Sequence, residues 1–182
     1  ARAAGGTLAL GDVAALQNAT LDLATADTGG VTFTASGTNT YALGGLTGSR
    51  GLALVGNSLS VTQAAASTYS GVVSGSGGLA KLGGGALTLS GASTYSGGTT
   101  LSAGTLLAGD DAAFGTGTLT VSAPATLGAA AGVNLANAVS LDAATVIDSG
   151  AHTLALGGVV SGAGSLTKQG AGTLTLDAAA TY

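Results

Sequence analysis

Large apolar residues alternate with small or hydroxylated ones in short runs from one end of the chain to the other. Leu8-Ala9-Leu10, Leu21-Asp22-Leu23, Val31-Thr32-Phe33, Leu52-Ala53-Leu54 and Leu59-Ser60-Val61 open the series. Leu87-Thr88-Leu89, Leu119-Thr120-Val121, Val139-Ser140-Leu141, Leu154-Ala155-Leu156 and Leu174-Thr175-Leu176 continue it. A period of two marks a strand with one buried face. Gly, Ser, Asn and Asp separate the runs and supply the positive-φ and side-chain-bonded turns that short strands need. Helix is disfavoured, because straight-chain helix formers are scarce and glycine interrupts almost every window. No stretch approaches the roughly 20 apolar residues of a membrane-crossing helix, and the opening Ala1-Arg2-Ala3-Ala4-Gly5-Gly6 lacks the apolar core of a signal peptide.

Short strands at even spacing suit a sandwich, a barrel or a solenoid, and internal repetition favours the last. Gly71–Ser90 aligned on Gly158–Asp177 gives 13 identities in 20 positions at an offset of 87. A shorter echo, Ser67-Thr68-Tyr69-Ser70-Gly71 and Ser93-Thr94-Tyr95-Ser96-Gly97, has an offset of 26. A coil of three strands and three turns takes roughly 20–25 residues, so the shorter echo reads as one coil and the longer as about four. The expectation is an all-β, right-handed parallel β-helix of about eight coils, forming a single segment over residues 1–182. Leu87, Leu89, Leu174 and Leu176 should point into its core, with Thr88 and Thr175 outward.

Composition sharpens this. Charged residues are 7% of the chain, against about 25% in ordinary soluble domains, and glycines number 34 of 182. A mean hydropathy of +0.55 and a net charge of −4 exclude a disordered polyelectrolyte. The absence of cysteine excludes disulfides and thiolate metal sites. Arg2, Arg50, Lys81 and Lys168 are the only basic residues apart from His152, and they are scattered. Nucleic-acid binding needs a clustered basic face.

The run Gly75-x-Gly77-x-Leu79-x-Lys81-x-Gly83-x-Gly85-x-Leu87-x-Leu89-x-Gly91 leads into Thr94-Tyr95-Ser96-Gly97-Gly98-Thr99-Thr100-Leu101 and then Gly104-Thr105-Leu106. This pattern resembles the passenger-associated repeat of bacterial autotransporters. Copies span residues 71–107 and 158–182, the second resembling the first two thirds of the pattern. The resemblance implies a β-helical passenger, secreted or held at the surface of a Gram-negative bacterium. It also implies an outer-membrane anchor, a C-terminal barrel outside this stretch. The 182 residues are expected to be part of a longer passenger.

The candidates for chemistry are few. His152 lies near Asp148 and Ser149, but catalysis needs a nucleophile, a base and an orienting group in one constellation. Asp110-Asp111 could offer oxygen ligands to Ca²⁺, yet the G-G-x-G-x-D nonapeptide of calcium-binding β-rolls is missing, and a turn is the simpler role. Asp12, Asp22, Asp27, Asp142, Asp148 and Asp177 are dispersed, whereas a polysaccharide-cleaving site needs paired carboxylates over one groove. Gly83-Gly84-Gly85 has no following Lys-Ser/Thr and no helix, and reads as a turn rather than a phosphate loop. Lys81 and Lys168 occupy equivalent repeat positions and are expected to bond turn carbonyls. Tyr41, Tyr69, Tyr95 and Tyr182 each follow a threonine and should cover turns or corners. The Thr118/Thr120 and Thr173/Thr175 pairs have the spacing of ice-binding solenoids but do not recur in every coil, and strand propensity accounts for them.

No catalytic, cofactor-binding or metal-binding residue is assigned, and no cofactor is expected. The expected role is a non-enzymatic stalk or adhesin segment contacting other cells, surfaces or copies of itself, with end-to-end association through its open coils. A self-assembling fibre subunit and a polysaccharide-acting enzyme on the same fold are the alternatives.

Overall fold

The computed structural model describes Ala1 and residues 5–181; Arg2 and Tyr182, weighed above, lie outside the described residues. Twenty-two short strands and no helix occur among those residues, and every strand pairing is parallel. They stack as a β-solenoid of about nine turns, against an expected eight.

Three ladders of strands run along the rod. The third carries β1 (Leu8–Leu10), β3 (Val31–Phe33), β5 (Leu52–Ala53), β8 (Val73–Ser74), β15 (Val133–Leu135), β18 (Thr153–Leu156) and β21 (Thr173–Leu176). Into the first fall the front of β4 (Thr40–Gly48), β6 (Ser58–Thr62), β9 (Leu79–Leu82), β11 (Thr99–Leu101), β13 (Leu119–Val121), β16 (Val139–Leu141), β19 (Val160–Ser161) and β22 (Ala180–Thr181). The second holds β2 (Leu16–Leu23), the rear of β4, β7 (Ser67–Tyr69), β10 (Ala86–Leu89), β12 (Thr105–Ala108), β14 (Ala125–Ala129), β17 (Thr145–Asp148) and β20 (Leu166–Gln169). Because β4 runs through a corner without a break, it joins the first two ladders into one continuous sheet.

Register follows from the alternation. Leu59, Leu79, Thr99, Leu119, Val139 and Val160 are successive partners, each one coil beyond the last, and all are buried. Beside them runs the column Val61–Lys81–Leu101–Val121–Leu141. On the second ladder Leu87, Leu106, Leu127 and Ile147 form another, every member fully buried. A slip of one residue would turn a whole column to solvent, so the pattern that predicts strands also fixes their pairing. Each leucine so buried contributes about 1.5–3 kcal/mol. Leu87 and Leu89 lie in the core, with Thr88 half-exposed outside. Leu174 and Leu176 pack on the same core but are only half-buried, since β21 pairs on one edge alone, and Thr175 is exposed.

The repeat lengths need correction. Tyr69 pairs with Leu89 on the second ladder, so these two stand one coil apart. Tyr95 lies further on, on the third ladder, where Thr94 N donates to Val73 O and Ser96 N to Gly75 O. The shorter echo is therefore one coil plus one side. The longer echo behaves alike: four coils beyond Leu79 stands Val160, whereas its sequence counterpart Leu166 opens β20 on the next ladder.

Candidate functional site

The polar side chains that the fold buries gather at its corners. Gln63 Oε1 accepts from Leu46 N at 3.2 Å while its Nε2 donates to Ala65 O at 2.7 Å. Asn57 Oδ1 accepts from Asn39 N, and its amide donates to Leu54 O. Asn137 Nδ2 donates to the carbonyls of Phe114, Gly115 and Gly117 in the preceding coil. Ser93 Oγ accepts from Val73 N in the coil before it. A corner leaves backbone groups outside the ladders, and a buried one without a partner costs about as much as a lost hydrogen bond. These side chains supply the partners. Sequence reading missed them, because a Gln or Asn before a turn looks like any exposed turn residue until register places it inside.

Lys81 brings a charged side chain to such a corner. Its side chain takes an inward position and is fully buried. Nζ donates to Leu82 O and Gly83 O at 2.8 Å and to Ala103 O at 3.2 Å. Burial pulls the ammonium from its ordinary 10.5 down to about 8. Lys168 repeats the local half of this arrangement, donating to Gln169 O at 2.6 Å and Gly170 O at 2.8 Å, but it is exposed. Both lysines bond turn carbonyls, as expected from their equivalent positions.

Three of the tyrosines meet corners, as expected, and they do so from within: Tyr41, Tyr69 and Tyr95 are core residues at 1% exposure or less. Their hydroxyls reach corner groups: Tyr41 Oη accepts from Ala35 N, Tyr69 Oη donates to Arg50 O, and Tyr95 Oη bonds Thr99 Oγ1. A phenol brings ring area to the core and a polar tip to the corner. Burial raises the Tyr69 and Tyr95 hydroxyls well above the ordinary tyrosine value.

Of the remaining candidates, those at 148–152 and 110–111 are engaged at or beside turns. Asp148 Oδ1 accepts from Gly150 N, Ser149 is buried with its hydroxyl toward Gln169 O, and His152 is exposed with its backbone N–H on Ser149 O. The hydrogen bonds of Asp148 and Ser149 thus run to backbone groups and not to the imidazole. Asp110 accepts from Ala112 N, and Asp111 from Asn134 N one coil later. Among the described residues, no three of His, Cys, Asp or Glu gather within reach of one metal ion.

Shallow grooves mark the surface. One, of about 430 Å³, lies over Thr105, Pro124, Thr126, Thr145, Val146 and Thr167. Two more follow the lead-in to the first ladder. The one past Thr38, Asn39, Ser58 and Ser76 holds about 470 Å³. The one past Ser96, Thr100, Thr118 and Thr120 holds about 400 Å³. Among the described residues, no charged side chain lines these three grooves. Close packing of successive corners accounts for the second pair: a Cβ on Gly77 would overlap Asn57 O, and one on Gly117 would lie 2.5 Å from Gly98 N.

A family model described as the passenger-associated-transport-repeat matches residues 79–108 and 166–182. Those two stretches are similar to that repeat. The two matched stretches make up about a quarter of the residues and run through β9 to β12 and β20 to β22. Neither a curated protein nor a solved structure matches. The repeat and the β-solenoid together fit an autotransporter passenger domain, and the repeat implies a secreted or surface-exposed protein.

Proposed function

We propose that this chain is a structural segment of an autotransporter passenger, a non-enzymatic stalk whose outward faces make adhesive contact with other cells or surfaces. One observation carries the reading: the outward row Ser60, Ala80, Thr100, Thr120, Ser140, Ser161 and Thr181 is uncharged and hydroxyl-rich, rung after rung along the first ladder. Inward positions beside it carry the apolar columns. The division gives a stiff rod roughly 40 Å long, at about 4.8 Å per coil, with an uncharged row along this face. Such a face suits many shallow contacts better than one deep pocket. Anchoring at the outer membrane through a barrel outside this chain belongs to the same proposal.

The test is retention of beads coated with the purified chain on cell layers and on inert surfaces, under flow. Retention above beads coated with an unrelated acidic β-protein is expected, and it should fall when Thr100, Thr120 and Ser140 are changed together to Asp. Equal retention of both coatings would overturn the adhesive role.

A further inference from the structure

The two repeat copies preserve their local conformation while changing ladder. Gly75 and Gly162 have φ of 109° and 116°, and Gly83 and Gly170 have φ of 75° and 78°. β8, β9 and β10 recur as β19, β20 and β21, with equal lengths. Yet β9 belongs to the first ladder and β20 to the second, and β10 to the second while β21 belongs to the third. The copy thus keeps its strand–turn–strand shape against different neighbours. In both, the lysine ammonium closes the turn by binding the next two carbonyls.

An ammonium has three donors, and the turn uses two. At Lys81 the third donor goes to Ala103 O, at the same corner of the following coil. From this geometry we infer that Lys81 is an inter-coil latch: its own repeat closes a corner around the ammonium, and the remaining donor holds the corner of the next coil. The backbone supports this assignment, since Ser102 N donates to Lys81 O beside the ammonium's contact, so one residue grips the next coil twice. β6 and β11, which flank β9, contain no titratable side chain, so backbone carbonyls solvate this charge in place of a carboxylate. A point charge on a flexible stem can serve three carbonyls that face one spot; a planar guanidinium cannot. The same device is set at Lys168, where the described residues offer two acceptors.

Residue-resolved amide hydrogen exchange on the 182-residue chain tests the latch. Lys81→Met keeps the apolar stem and removes the donors. Exchange should accelerate about tenfold at Ser102 and Thr105, a factor in the range of one lost charged hydrogen bond. Amides of the columns far along the rod, such as Leu154 and Leu43, should hold their rates. Lys168→Met should leave everything outside β20 and its turn unchanged. A uniform acceleration, or none at Ser102 and Thr105, would overturn the latch. If Lys81→Met does not fold, competitive acetylation of the unsubstituted chain decides: Lys81 should react at least about tenfold more slowly than Lys168, as a closed opening equilibrium requires. Equal reactivity would equally overturn it.

Discussion

At the scale of single residues, the titratable side chains buried in the core find hydrogen-bond partners at corners, and their titration is a measure of the fold. Lys81 holds its proton less tightly when folded, at about 8 against an ordinary 10.5. Between those values the unfolded chain binds more protons, so stability should rise as pH climbs through this window. Tyr69 and Tyr95 act in the opposite sense. Their folded values lie above the ordinary 10.0, so above pH 10 the unfolded chain loses phenolic protons that the native chain keeps, and stability should fall. Guanidinium midpoints measured from pH 7 to 11 should therefore pass through a maximum near pH 10. In Lys81→Met the rise from pH 8 should vanish and the fall remain; a rise that persists would assign it to another group. The apolar columns give a simpler contrast. Leu127→Ala, in the middle of a fully buried column, should cost about 2–5 kcal/mol by denaturant titration. Thr120→Ala on the outward row should stay within about 0.5 kcal/mol.

Among the elements, turns carry the information that alternation leaves out. In Gly83-Gly84-Gly85 the sequence shows three equal glycines, and the structure makes them unequal. Gly83 adopts φ of 75°, and a Cβ there would meet Gln63 O at 2.5 Å. Gly85 has ordinary φ, but its Cβ would strike Ala64 C at 2.6 Å, in the coil before. Gly84 has nothing within 4 Å. Gly84→Ala should therefore be neutral or stabilising by up to about 1 kcal/mol, through the unfolded chain's lost freedom. Gly83→Ala and Gly85→Ala should each lower the thermal midpoint clearly, one by backbone strain and the other by collision. Three equal effects would mean that the turn is not packed as described. Strand existence was legible in the sequence because one buried face imposes a period of two. The function of each glycine was not, because it depends on a neighbour one coil away.

Across the whole molecule, the sequence disclosed the architecture and concealed its phase. Short alternating runs, glycine turns and internal echoes sufficed for a parallel solenoid, and the motif around Lys81 sufficed for its repeat family. Neither echo could reveal the coil, because three sides built from the same Leu, Thr and Gly accept the same segment. The candidate site was legible only at Lys81 and Lys168; the buried tyrosines and corner amides needed register. The last described coil shows what the stacking rule demands. Leu166, Leu174 and Leu176 are half-buried there, whereas their column neighbours Leu154, Leu156 and Thr145 are buried. Their strands present unpaired backbone donors and acceptors along one edge, the kind of edge on which another strand can add. The 182-residue chain in isolation should therefore associate, its sedimentation coefficient rising with concentration. Changing Leu174 and Leu176 together to Lys places charge at the centre of that surface without touching the coils below the last pair. This variant should remain monomeric over the same range. If the parent chain is itself a stable monomer at high concentration, the open coil tolerates water, and its edge does not recruit a second copy.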